Sequence, residues 1–231
     1  MVLQANGASL HEADQQKSNL SIGADVYNRY ICRGINLGGN TMSIQPSLEY
    51  SFGNSGLVVG AWGAFSMGGQ TVQEIDLYLK YTPIDLFTIT VTDYFFPDDR
   101  GGYDYFEYRE DLTSHIIEAA VSFNGLEGLP LTAFFAMNLH GDEANSTYLE
   151  LGYVFDLKGD VGLSLFAGAT LTEPGPGETG FYGQEQAGLI NLGVTGSKEL
   201  KITETFSLPV SSSLIINPEA NYIFMVFGFS F

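Results

Sequence analysis

The residues able to do chemistry in this chain are carboxylates set at even spacing within apolar segments, with few partners of opposite sign. Glu74 and Asp76 share a parity with Lys80, Glu118 and Glu150 stand in two later segments, Glu49 in an early one, and Asp25, Arg29 and Arg33 follow one parity near the start. Charges in such surroundings pair with one another, or fix the sign of the ions that pass them, as charged rings do in channels. Hydrolytic chemistry asks for more: a nucleophile, a base in hydrogen-bond reach and a group that orients the base. The histidines are His11, His115 and His140. Ser114 and His115 are chain neighbours, so an extended strand turns them to opposite sides and they cannot form a dyad. His115 and His140 carry opposite expected parity, and no catalytic residue is assigned. A single cysteine, Cys32, allows neither an intramolecular disulfide nor a cysteine metal cluster. No metal ligand set or cofactor motif emerges, and Pro174-Gly-Pro-Gly177 is loop chemistry rather than a phosphate cradle.

The elements that position these groups are strands. Met42, Ile44, Pro46, Leu48, Tyr50 and Phe52 alternate with Thr41, Ser43, Gln45, Ser47, Glu49 and Ser51, which gives one apolar and one polar face. The pattern recurs over 20–35, 41–52, 57–67, 71–82, 86–96, 114–123, 129–140, 147–156, 161–171, 187–197, 201–214 and 222–231. Those twelve segments mostly have the ~9–11 residues of a tilted bilayer-crossing strand. In 114–123, Ile116, Ile117, Ala119 and Ala120 would also suit a short helix. No apolar run approaches the ~20 residues of a membrane-spanning helix, so residence in a membrane means a closed barrel. Met1 to Lys17 is polar and lacks the apolar core of a secretory signal, so the chain is read as a mature protein, with residues 1–18 a polar tail and 19–231 one barrel.

Three observations turn the apolar faces outward. Tight connections such as Gly53–Gly56, Pro83–Asp85 and Asp156–Asp160 alternate with longer ones such as Gly34–Asn40, Pro97–Leu112 and Thr172–Gln186, as in outer-membrane barrels. The strands entering the tight turns end on aromatics of the apolar face, Phe52, Tyr81, Phe123, Phe155 and Phe231, at the height of an interfacial girdle. Last, Ile223, Met225, Phe227, Phe229 and Phe231 form an apolar stripe ending on the final residue, which resembles the terminal strand that the barrel-assembly machinery reads. The expectation is an all-β, transmembrane, antiparallel up-and-down barrel of twelve strands in a bacterial outer membrane. Its surroundings would be membrane lipids and lipopolysaccharide, and both termini would lie on the periplasmic side.

With the apolar faces on lipid, Arg29, Arg33, Glu49, Glu74, Asp76, Lys80, Glu118 and Glu150 line the pore, and Asp76, Glu118, Glu150 and Asn191 fall at similar depth. Twelve strands leave on the order of 10 Å of lumen, and the many short lumen side chains cannot fill it. The interior is therefore a narrow pore, or is plugged by the tail or a loop. The longest loop, Pro97–Asp111, carries Tyr103, Tyr105 and Tyr108 among acids, as a candidate plug or as rings packed on neighbouring loops. Asp98, Asp99, Asp104, Glu107, Glu110 and Asp111 make a solvated rim. A net charge of -18 with nine Lys plus Arg excludes nucleic acid as a partner.

Val26-Tyr-Asn-Arg-Tyr-Ile-Cys-Arg-Gly-Ile35, Glu74-Ile-Asp-Leu-Tyr-Leu-Lys-Tyr81 and Tyr148-Leu-Glu-Leu-Gly-Tyr-Val-Phe155 together resemble a family of uncharacterised Gram-negative outer-membrane proteins. The resemblance implies a barrel of this size and adds no activity. Function narrows to three classes: a passive channel for small neutral or cationic solutes, a closed barrel presenting acidic loops to lipopolysaccharide or a partner, or a lipid-modifying enzyme.

Overall fold

A computed structural model describes residues 19–68, 72–97, 104–155, 157 and 161–231. Fourteen strands follow one another in the described residues: β1 (Leu20–Tyr27), β2 (Ile31–Cys32), β3 (Ile35–Asn36), β4 (Ser43–Ser51), β5 (Leu57–Ser66), β6 (Glu74–Ile84), β7 (Phe87–Phe95), β8 (His115–Phe123), β9 (Leu131–His140), β10 (Thr147–Phe155), β11 (Val161–Thr170), β12 (Gly188–Lys201), β13 (Ser207–Asn217) and β14 (Tyr222–Ser230). Twelve of them, β1 and β4 to β14, pair antiparallel with their neighbours and close into a barrel between β1 and β14. Closure leaves no open edge, which is how a sheet satisfies its backbone without water. The region with helical alternatives is strand β8.

The barrel is apolar outside and polar inside. Along β6, Ile75, Leu77, Leu79 and Tyr81 are 36 to 46% exposed, while Glu74 and Asp76 are 1% and 4% exposed. A water-soluble barrel would bury the first set. The girdle aromatics stand in edge-on contacts on the outer wall, Tyr50 with Phe52, Tyr153 with Phe155 and Phe229 with Phe231.

Two segment boundaries differ most from the alternation. The β12–β13 hairpin runs to Lys201 and resumes at Ser207, so its turn is 202–206 rather than 198–200. More consequential is β1, which stops at Tyr27 instead of continuing to Ile35. The side chain of Asn28 takes over where the strand ends: its Nδ2 donates to the Met225 carbonyl (3.1 Å) and its Oδ1 accepts from the Phe227 N–H (2.9 Å). The chain is then free to turn inward. β2 and β3 pair as a small separate hairpin, Ile31 with Asn36 and Cys32 with Ile35. Its tip residues Arg33 and Gly34 both have positive φ, 47° and 83°, as two-residue hairpin turns require. Alternation continues across 20–35 because a hairpin strand has the same period as a barrel strand, so periodicity alone does not reveal the bend.

Candidate lumen site

The β2–β3 hairpin sits inside the barrel. Tyr30, Ile31, Cys32 and Arg33 are 2, 3, 8 and 6% exposed. Ile31 packs on the inner wall at Ile215, Phe224 and Val226, and Tyr30 packs against Trp62 and Ala64. Gly34 is the close-approach point, where a Cβ would lie 1.9 Å from the Ile190 carbonyl oxygen. Opposite it, the β11–β12 loop also folds in, burying Tyr182 and Gln184. Together they fill the half of the lumen at the long-loop end. Toward the short-turn end the lining hydroxyls, among them Thr88, Thr90, Ser122, Thr132, Ser164 and Thr195, are half-buried, as the walls of a wet vestibule are.

Arg33 is the centre of the filled half. Its Nη1 and Nη2 donate to the two oxygens of Glu118 at 2.5 and 2.9 Å, a bidentate pair. Nη1 also donates to the Tyr182 hydroxyl (2.6 Å), and Nη2 faces the Tyr94 hydroxyl at 3.4 Å. The guanidinium carbon lies 5.1 Å from the Phe134 ring centroid, 4.9 Å from Tyr148 and 5.9 Å from Tyr182. The walls are themselves braced. Tyr94 donates to Glu118 (2.9 Å), Tyr148 donates to Glu150, and Asn191 Nδ2 donates to both Glu150 and the Tyr148 hydroxyl at 2.9 Å.

The other expected pore residues take separate places. Glu150 meets Asn191 across β11, consistent with their common depth. Glu49 accepts from Lys80 (2.7 Å) and from the Tyr78 hydroxyl (2.7 Å) in the vestibule, with both charged side chains partly exposed. Glu74 accepts from the Tyr30 hydroxyl of the hairpin (2.9 Å). Asp76 lies two residues on, and its buried Oδ1 has no hydrogen-bond partner among the described residues. Arg29 is half-buried in the inward-turning segment, and its buried Nε likewise lacks one. Arg33 therefore reaches the lumen from the hairpin tip rather than from β1.

Of the candidate plug loop, Tyr103 lies outside the described residues. Tyr105 and Tyr108 cover the outer wall. Asp93 and His115 alternate with the lumen-facing Tyr94 and Ile116, so they point outward, and the loop closes over them. Tyr108 donates to Asp93 Oδ2 (2.8 Å), His115 Nδ1 meets Asp93 Oδ1 (2.7 Å), and His115 Nε2 meets the Tyr105 carbonyl (2.6 Å). Tyr108 stacks on the imidazole at 4.2 Å. This is the nearest approach to hydrolytic geometry among the described residues, and the nitrogen that would serve a nucleophile is taken by a backbone carbonyl. Burial, then the Asp93 carboxylate, push the Tyr108 hydroxyl pKa up. On the same loop, hydrogen bonds from Arg109 hold the partly exposed Glu107 carboxyl at about 2.

Residues 12–185 match the family model described as "Bacterial protein of unknown function (Gcw_chp)". No curated protein matches the sequence. Among solved structures the fold is similar to that of an outer membrane channel from Pseudomonas putida F1, with a TM-score of 0.50 and 12% identity, covering 94% of this chain and 95% of that one.

Proposed function

The chain belongs to the Gcw_chp family of bacterial proteins, and from its barrel and the charge of its lumen we propose that it is an outer-membrane channel for small hydrophilic solutes, neutral or cationic, held shut by its own first hairpin. The observation that carries the reading is the sign of the lumen. Glu49, Glu74, Asp76, Glu118 and Glu150 face inward from the barrel strands, Lys80 is their basic counterpart there, and Arg33 comes from the hairpin. When the hairpin withdraws, its cation leaves with it and the wall becomes more negative. A carboxylate-lined constriction attracts cations and repels anions. The similar fold belongs to a protein described as an outer membrane channel, which supports the same reading. The apolar exterior fits lipid and lipopolysaccharide around it, and the aromatic end of β14 fits delivery by the barrel-assembly machinery.

Planar-bilayer recording tests this. In a salt gradient, the reconstituted protein is expected to open briefly, with a reversal potential on the cation side. A reversal potential on the anion side would defeat the reading. So would silence both in the unaltered protein and after release of the hairpin. The second class, a closed interaction barrel, is favoured by the filled half of the lumen, and silence in both forms is its signature.

A further inference from the structure

The wall around Arg33 has the composition of a receptor for a planar cation, and the chain fills that receptor with its own side chain. Glu118 on β8 offers two oxygens to two nitrogens of one guanidinium at 2.5 and 2.9 Å. The Tyr182 hydroxyl accepts from the same head at 2.6 Å. Phe134 on β9 and Tyr148 on β10 present rings at 5.1 and 4.9 Å from the guanidinium carbon, within the range of cation–π attraction. A forked carboxylate with aromatic flanks matches a guanidinium, whose donors lie in one plane, better than an ammonium, a compact point charge.

Two features separate this box from an ordinary structural ion pair. First, the box is built mainly on the barrel wall, with the hairpin adding only the contact of Ile35 against the Tyr148 and Tyr182 cluster. Its carboxylate and two of its rings stand on barrel strands, with Glu118 braced by Tyr94 and Tyr148 braced by Glu150 and Asn191. Second, Arg33 fits it imperfectly. The residue sits at φ 47°, a left-handed conformation that disfavours any side chain larger than glycine, and its buried Nε has no hydrogen-bond partner among the described residues. A free ligand with the same head group is released from the backbone constraint, and without a tether it can turn in the site to seek a partner for that N–H.

We propose that the box is the solute site of the channel, that it takes small molecules bearing a guanidinium group, and that Arg33 occupies it in the closed state as a tethered competitor. This rests on the channel reading and names its substrate class. A solute of that class would both displace the hairpin and be held where the hairpin was.

The test is binding in detergent solution, which needs no conductance. The protein, Arg33→Ala and the double variant Arg33→Ala/Glu118→Gln are titrated with methylguanidinium by calorimetry, with circular dichroism to verify strand content. Arg33→Ala should bind at least tenfold more tightly than the unaltered protein, because its site is no longer occupied from within. The double variant should lose that binding, and methylammonium should bind Arg33→Ala at least tenfold more weakly than methylguanidinium. Absence of saturable binding in folded Arg33→Ala, or binding indifferent to Glu118→Gln, overturns the proposal. Should Arg33→Ala not fold, the unaltered protein supplies the answer through Trp62, the only tryptophan of the chain, whose ring lies 5.6 Å from Tyr30 of the hairpin. Millimolar methylguanidinium should shift its emission where equal sodium does not, and identical responses overturn the proposal. Binding without cation-selective conductance upholds the site and removes the channel, whereas conductance without binding does the reverse.

Discussion

Replacing Glu118 with glutamine is the most informative single change, because it removes a charge while leaving the shape of the site. The Arg33 and Glu118 side chains are 4% and 3% exposed, so little water remains to screen or replace the pair. Breaking a buried ion pair from one side costs about 3–5 kcal/mol, mostly for the charge left behind. The substituted amide would also turn an N–H₂ toward a guanidinium that can only donate, so one of the two bonds is lost as well. The rings of Phe134 and Tyr148 attract the guanidinium in both proteins and cancel from the comparison. Withdrawal lets Arg33 regain its hydration, so the closed state alone bears the cost. At about 1.4 kcal/mol per factor of ten, the open-to-closed ratio rises by roughly two to three and a half decades, and an open population of ~1% becomes the majority state. The assay pairs open probability in planar bilayers with acrylamide quenching of Trp62, which the hairpin's Tyr30 partly covers. Both should rise together. A folded Glu118→Gln barrel with unchanged open probability and unchanged quenching would refute the idea that this pair holds the hairpin in.

Two further changes probe the neighbourhood. Gly34→Ala places a Cβ 1.9 Å from the Ile190 carbonyl oxygen at a residue with φ 83°, so it should loosen the hairpin by more than the ~1 kcal/mol of an ordinary positive-φ substitution; Trp62 quenching should increase, with the strand signal in circular dichroism unaltered. On the outer loop, Glu107 is a depressed carboxyl, so its contact with Arg109 is intact above the ordinary carboxylate range and is lost as pH falls through about 2. Because the pair joins residues two apart on a surface loop and the Arg109 side chain is largely exposed, Glu107→Gln should leave the melting temperature unmoved, while a carboxyl titration by nuclear magnetic resonance should place the midpoint at about 2 rather than at the ordinary 4.5.

The barrel was legible because sidedness is written at every second residue. Ile75, Leu77, Leu79 and Tyr81 could face only lipid or a dry core, and the alternating loop lengths favoured lipid. The inward carboxylates followed from the same parity. What periodicity does not encode is a strand that leaves the wall. Val26 to Ile35 keeps its alternation through the bend, and the signal for the turn is Asn28, a side chain able to substitute for two backbone bonds, together with the Arg33-Gly34 pair at a hairpin tip. Tyr182 and Gln184 lie in a loop without period, so nothing local places them in the lumen. The loop richest in tyrosine drew attention as a plug, yet Tyr105 and Tyr108 find their partners in outward-facing Asp93 and His115.

The composition of the hairpin suits the gating role proposed for it. Near its base the packing is apolar, Ile31 against Ile215, Phe224 and Val226, and a permanently filled lumen could have continued that way to the tip. Instead the tip carries a buried ion pair. Such pairs roughly break even with apolar side chains of the same volume, and the left-handed backbone at Arg33 adds a cost of about 1–2 kcal/mol. Stability therefore does not account for Arg33 and Glu118. Reversibility does. An apolar tip withdrawn from the lumen would carry bare hydrocarbon into water and leave bare hydrocarbon behind, at roughly 25 cal/mol for each Å². A guanidinium and a carboxylate are each hydrated on separation, and the hydroxyl-lined vestibule below Glu118 is already half-exposed. The tip thus combines tight closure with an easy exit, while the Asn28 side chain keeps the end of β14 satisfied beside the point where the chain leaves the wall.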